Sequence, residues 1–600
     1  MRRLMIMCLM FFRIVSSDCL AQQTGMEKML HFLGAASAEE ADGYEVERIS
    51  EFLERPLKIN VESSGRIRES GLLTHYQIAS LADYRARHGD VLSLAELASV
   101  DGFGEDFAAL ISPFISFESR MSPGVRSKSD SLNLRHDLSM KTALKKDASV
   151  TYGLKYRLEA GERLEAGFAF SRSASADRMY PDGVSAYVRW DLKRIPATIV
   201  AGDFNARFGQ GLALWNGMRL SGISSPSSYL KRSAGVAPSS SYTGNYSLKG
   251  VAGYILPGRN IKLSSFLAVK LPEDAICVMP GINLTVLHKT GTFGITHYAD
   301  MAFSIHGMNI PDMKTSADAA WCLGGKDFFA ELAYDWVMET AAGIAGTVLP
   351  AGDNCRLAFM TRFYPASYSS DLSAAAGSSS KCSNEYGLSA SAELMSRKWV
   401  SVNGKEGFGS SVRRHASTFS FDASYYPEPK SDESEKSIQI KVAGEWGFMI
   451  TSALKLKLRL TERLRSWGDP FRTDARADIT YMSKHLSAGI RLNVLRCVST
   501  SFLSYAEVGF SIGKLSSFFR QGIFLADEWE DRIYAYERDG PGSFNVPAYY
   551  GRGFWSAFTL SWRYSRWGKL FLRAAATTYP LMKEEKPGKA ELRLYMSFDL

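Results

Sequence analysis

The chain reads as mainly β, a large antiparallel transmembrane β-barrel of about 20–24 strands preceded by a small all-α unit. Three observations carry that reading. Residues 131–600 alternate apolar and polar side chains with a period of two, in segments of about ten residues. Gly, Pro, Asn, Asp and Ser separate those segments. Residues 44–117 instead repeat near 3.6 and carry helix-capping punctuation. With 600 residues, 46% hydrophobic and 22% charged, the chain is too long for one compact domain and too apolar for a disordered one. Beyond the first 20 positions no run of 18 apolar residues occurs, which excludes a helical membrane span.

The first 21 residues form an export signal: Arg2 and Arg3 open it, Leu4 to Phe12 supply the apolar core, and Cys19-Leu20-Ala21 offers a small-x-small cleavage site before Gln22. Residues 22–43 read as a linker. Seven cysteines, at 8, 19, 277, 322, 355, 382 and 497, show no metal-ligand or disulfide spacing and read as scattered small apolar residues.

Residues 44–117 read as two helix-turn-helix units in tandem. Ser93-Leu94-Ala95-Glu96 is a capping box that starts a helix at 94, with Leu92 and Leu97 at the staple positions. Thr74 caps an earlier helix that carries Ile78, Leu81 and Ala82 on one face and ends at Gly89. Asp101-Gly102-Phe103-Gly104-Glu105 has the form of a helix-hairpin-helix turn, in which the glycines permit the bend and Phe103 tucks between the helices. The other turn, Ser70-Gly71-Leu72-Leu73-Thr74, has Leu73 where a second glycine would stand. Gly71, Gly102, Phe103 and Gly104 are therefore the candidate hairpin contacts. Residues 45–117 hold 12 acidic residues against 7 Lys or Arg, a net of −5, and Glu105 and Asp106 directly follow the better turn. Such charge opposes phosphate binding, so nucleic acid is the minor reading for this unit and a protein-contact or structural role the major one.

A polar linker, 118–130, leads into the alternating region. Ala453 to Leu460 places leucines on one face and Lys455, Lys457 and Arg459 on the other, as befits a strand between two unlike media. Phe558, Leu560, Trp562 and Tyr564 alternate in the same way, as do Ile438, Ile440 and Val442, and Leu592 to Leu600. Aromatic pairs at segment ends, Tyr425-Tyr426, Tyr549-Tyr550 and Phe554-Trp555, read as interfacial girdles. The final segment is itself a strand, available to pair with the first. Tight turns at 159–162, 257–260 and 565–568 are expected at the periplasmic end, and the long stretches 428–436 and 527–542 at the outer end. Residues 118–600 carry a net +14. Inward-pointing Lys and Arg would bias the lumen toward anions, or else meet acidic partners inside the barrel or anionic headgroups at its rim.

Two stretches carry a family resemblance. Leu57 to Asn60, Tyr84-Arg85-Ala86-Arg87-His88-Gly89, Leu94 to Leu97 and the Gly102-Phe103-Gly104 turn resemble the N-terminal module of helix-hairpin-helix outer-membrane proteins of Bacteroidota, itself similar to the competence-type DNA-uptake hairpin domain. Gly202-Asp203-Phe204, Phe208-Gly209-Gln210-Gly211-Leu212 with Trp215, Leu230-Lys231-Arg232 and Ser247 to Ala252 resemble the early barrel segments of the same family. The resemblance implies an outer-membrane barrel with a periplasmic helical module and brings no catalytic residues. Leu73, Glu105 and Asp106 depart from the DNA-binding relatives. Gly202, Asp203, Phe208, Gly209, Gln210 and Gly211 are candidates for shaping the barrel, as a bulge, or for narrowing the lumen.

No catalytic motif, cofactor fingerprint or metal-ligand spacing occurs among the nine histidines; His297 with Asp300, and His415 near Ser417, are the only pairs worth placing. The expected role is a channel, transport or envelope-assembly component. DNA binding or uptake and an outer-membrane hydrolase are the alternatives. Expected partners are outer-membrane lipid and a periplasmic protein.

Overall fold

The computed structural model describes residues 18–119 and 134–599, apart from short connecting segments of which the longest are 174–179, 218–224, 402–408 and 431–436. The expected signal up to residue 17 and most of the 118–130 linker lie outside the described residues.

From Leu134 to Asp599 the chain closes a 24-strand antiparallel barrel. The last strand, Lys589–Asp599, pairs with the first, Leu134–Lys145, from Glu591↔Lys145 to Asp599↔Asp137. Closure pairs every wall strand on both sides, the condition under which strands can cross hydrocarbon. On Leu454–Arg465 the alternation read from sequence is realised: Leu458 and Leu460 are exposed on the outer face, while Lys455, Lys457 and Arg459 point inward to acidic partners. Ile490, Leu492 and Val494 on Leu486–Arg496 continue the outward apolar belt. No described helix is long and apolar enough to cross a membrane. A closed barrel whose outer face is apolar is built for lipid, and the protein is an outer-membrane β-barrel.

The connections segregate by length. At one end lie the short ones, among them 161–163, 259–260, 324–325, 513–514 and 563–567; at the other lie 208–247, 365–384 and 527–550. The three tight turns expected from sequence fall at the short end, and both long polar stretches at the long end. By the usual polarity of such barrels the short end faces the periplasm.

The expected aromatic girdle needs correction. Tyr426, Tyr549 and Trp555 are buried, the last two in an inner cluster with Phe524. Neighbouring strand residues point to opposite faces, so an adjacent aromatic pair on a strand cannot lie wholly in a girdle. Outward aromatics near the strand ends are instead Trp190, Trp336, Tyr481, Trp562 and Trp567.

Among the described residues six α-helices precede the barrel: α1 (Asp18–Leu33), α2 (Gly43–Glu54), α3 (Ser64–Glu69), α4 (His75–His88), α5 (Leu94–Ser99) and α6 (Gly104–Ile111). Residues 22–43 are thus no linker. Helix α1 runs through most of them and buries Met29, Phe32 and Leu33, an i, i+3, i+4 stripe, in the helical core. Ser93 caps α5 as expected by accepting from the Glu96 N–H at 3.2 Å, but the Glu96 carboxylate takes the Leu92 N–H instead of completing the box, and Leu92 is 61% exposed, so no staple closes over it. The full box is at Thr74, with Gln77 as its partner.

The second correction concerns position. The helical unit does not hang in the periplasm; it sits inside the barrel as a plug, its polar surface against the inner wall.

Replacing Leu460 by Arg puts a charge on the lipid face and should destabilise the barrel by about 2–4 kcal/mol if the site lies near the bilayer midplane. Urea unfolding in lipid vesicles, followed by heat-modifiable gel migration, measures it. An equally stable variant would contradict the outward placement of this face.

Candidate functional site: a plugged lumen

Over much of the interface the plug presents carboxylates and the wall cations, while Arg55 and Arg66 of the plug reverse the pattern against Glu159 and Asp191 of the wall. Glu39 accepts from Arg476 at 2.9 Å, from Arg491 at 2.6 Å and from the Tyr536 backbone N–H at 2.9 Å. Glu40 pairs with Arg459 and, at 3.4 Å, with Lys441. Glu45 meets Arg207 at 2.8 Å, and Glu51 meets Lys155. On the far side of the lumen Arg189 grips Glu69 at 3.2 Å, and Tyr254 donates to the same carboxylate at 2.7 Å. The −5 of the helical unit and the +14 of the remainder are two halves of one interface, so the wall cations meet acidic partners inside the barrel.

Burial alone would raise these carboxyls, and the cations overcome it. Arg459 and Lys441 bring Glu40 down from 4.5 to about 2, Arg207 and Arg48 do the same for Glu45, and Arg476 and Arg491 hold Glu39 well below the usual range. The apolar core of the plug is its own: Met29, Ile49, Leu72, Leu81, Leu97 and Phe114 pack on one another, and the one described residue from beyond the plug in that cluster is Phe544 of the 527–550 connection.

That connection and two others fold inward from the long-loop end. Tyr536 reaches Glu39, and Ser241 donates to Glu47 at 2.8 Å. Segments 208–217 and 365–384 are hydrogen-bonded together within the lumen, Trp215 N–H to Leu372 O at 2.7 Å and Ala374 N–H to Gly211 O at 2.9 Å. Glu331, on Lys326–Asp335, anchors them: its carboxylate accepts the N–H groups of Gln210, Leu212 and Ala213 at 2.7, 3.0 and 3.2 Å. Gly209 (φ +57°) and Gly211 (φ +81°) adopt left-handed backbone, and a Cβ on Gly209 would stand 2.7 Å from the Glu331 carboxylate.

Phe208, Gly209, Gln210 and Gly211 therefore lie past the end of their strand, Ala197–Arg207, in a buried segment held by Glu331; they form no bulge in the wall. Gly202 and Asp203 do sit in the wall. At Gly202 (φ +104°) the ladder to Gly183–Asp191 stops, and the Asp203 carboxylate takes the Ala186 N–H at 2.9 Å in place of a backbone partner.

Both glycine turns of the plug are packing devices. Gly71 faces Arg48, with its N–H donated to Arg68 O, while Ser70, Leu72 and Leu73 are buried. Gly102 lies against the Tyr76 ring with its carbonyl accepting from Gln77 at 2.8 Å; Phe103 is buried, and Gly104 has open space around it. His297 bonds Thr315 whereas Asp300 pairs with Lys270, and the His415 ring packs on Phe448, so the paired residues considered for catalysis are not joined.

Between α1, α5, α6 and the wall runs a cavity of about 1040 Å³. Met26, Leu30, Leu94 and Leu110 line the plug side, and Lys457, Arg476, Arg491 and Arg520 the wall side.

No protein-family model matches the chain, and no curated protein matches it. Among solved structures it is similar to the siderophore receptor PirA from Pseudomonas aeruginosa (7% identity, 79% of this chain and 81% of that one, TM-score 0.38). It is also similar to the copper transporter OprC (8%, 80% and 83%, 0.37) and to the translocation pore of the P pilus usher PapC (10%, 78% and 99%, 0.33). Overlaps this loose assign neither strand number nor cargo.

Carboxyls held below their ordinary value contribute stability above about pH 4.5 and lose it as pH falls toward 2. Amide exchange in α1 and α2, corrected for intrinsic rates, should therefore change little between pH 7 and 5 and rise steeply below 4.5, with strand amides still protected. A separate check is Glu331→Ala, which strands three buried N–H groups at about 1–3 kcal/mol each; proteolysis of the 208–247 connection should accelerate, and unchanged cleavage would remove Glu331 from its anchoring role.

Proposed function

We infer that this protein is a gated outer-membrane transport barrel, non-enzymatic, in which the helical unit is the gate and the passage opens when that unit shifts. One observation carries the reading: the plug has a self-contained apolar core and meets the wall through ion pairs and hydrogen bonds. A unit with its own core can move without unfolding, and polar contacts can be exchanged for water at modest cost where apolar packing could not. The cavity beside α1, α5 and α6 gives such a movement its starting space. In this reading the two glycine turns of the helix-hairpin-helix type serve plug packing, and the acids after the second, Glu105 and Asp106, line the cavity rather than a nucleic-acid surface.

Planar-bilayer recording tests it. The full chain should be closed, and a chain lacking residues 18–117 should show large stepwise conductance. Arg476→Glu with Arg491→Glu, which repels Glu39 without removing the plug, should flicker open at neutral pH. Steady large conductance from the full chain, or none from folded variants of both kinds, would overturn the gate.

A further inference from the structure

Between the plug, the inward loop and the wall near the short-turn end lies a second, smaller cavity of about 80 Å³. Its lining includes Lys262, Arg68 and Arg232. Lys262, on the wall strand Ile261–Lys270, is 3% exposed, and its ammonium has no hydrogen bond or ion pair among the described residues; it rests 4.3 Å from the centre of the Tyr254 ring. The nearby Glu69 is already committed to Arg189 and Tyr254. Arg68, at the end of α3, donates at 3.3 Å to His75 Nδ1, a neutral acceptor whose other ring nitrogen donates to the His288 carbonyl, and forms no ion pair among the described residues. Arg232, from the inward loop, stacks on Phe32 at 4.5 Å and lies beside Asp327, and its Nε has no hydrogen-bond partner among the described residues. Two carboxylates share the lining, Asp318 and Asp327, of which Asp327 faces Arg232 and Arg356.

An isolated buried ammonium is costly, and proteins keep one where something pairs with it. We propose that this cavity binds one phosphate-sized oxyanion, held by Lys262 from the wall and Arg68 from the plug. The volume admits a single phosphoryl or sulfate group, whose oxygens can accept from the Lys262 ammonium and the Arg68 guanidinium at once. Because the wall strand and α3 must separate when the plug moves, the bound anion is an ionic pin that favours the closed state by mass action.

Titration calorimetry on the full chain in detergent, with inorganic phosphate as the probe, tests the site. The expected result is one saturable site, with sulfate competing and chloride at equal ionic strength failing to compete. Lys262→Met should weaken phosphate binding at least about tenfold. It should also leave the melting temperature in phosphate-free buffer unchanged or higher, while abolishing the rise that phosphate gives the parent chain. A purely structural Lys262 would show the opposite, a lower melting temperature with the phosphate response intact, and that outcome overturns the proposal, as does the absence of saturable binding. Competition by short-chain phosphatidic acid would identify a headgroup as the source of the phosphoryl group, and its failure to compete would identify free phosphate; both are forms of the same site. The gate is tested by conductance and this pin by binding, so either can fail alone.

Discussion

Closure of the strand ladder in hydrocarbon is the constraint on which the rest depends. A wall whose backbone is fully paired can present any side chain outward only if it is apolar, and strand geometry then sends every second residue inward. On Leu454–Arg465 this places leucines in lipid and Lys455, Lys457 and Arg459 in the lumen. A lumen lined by such side chains must be flooded with water or filled with matching charge. This barrel takes the second course, with Glu39, Glu40, Glu45 and Glu51 of the plug answering the wall cations.

The lumen is filled from both ends by different devices. From the short-turn end comes a helical unit with its own core, joined to the wall by charge; from the other end come three long connections, of which 208–247 and 365–384 are hydrogen-bonded to each other, and 208–247 and 527–550 to the plug. The glycine-rich segment 208–211 belongs to the second group, and its tight approach to Glu331 shows why its residues are glycine where they are. Buried ion pairs add little net stability because each charge must first be desolvated, yet removing one partner leaves the other stranded. That asymmetry fixes where the plug sits more strongly than it fixes how tightly it is held.

Much of the fold was legible in single residues. The period-two rhythm predicted the barrel, the tight turns and long stretches predicted which connections share an end, and Ser93 and Thr74 predicted helix starts at 94 and 75. Other readings failed for local reasons. Tyr549 and Trp555 were expected in a girdle and instead pack inside, because neighbouring aromatics on a strand face opposite ways. Residues 22–43 were expected to be a linker, although Met29, Phe32 and Leu33 carry a helical stripe whose burial site lies on α2, α6 and Phe114. The candidate glycines at 209 and 211 were found, but Glu331, which holds their segment, was not, since one glutamate on a long alternating strand has no local mark.

What the sequence determined by itself was the medium on each face of the wall, because alternation is a property of consecutive residues and lipid reads it directly. It also held opposite net charges, −5 and +14, in the two parts of the chain. Only the tertiary structure decided that those charges meet, with the helical unit inside the barrel instead of beside it. Pairings such as Glu39 with Arg476 and Arg491 span more than 400 positions, and no local spacing encodes a contact made when a ring of strands closes around what it encloses.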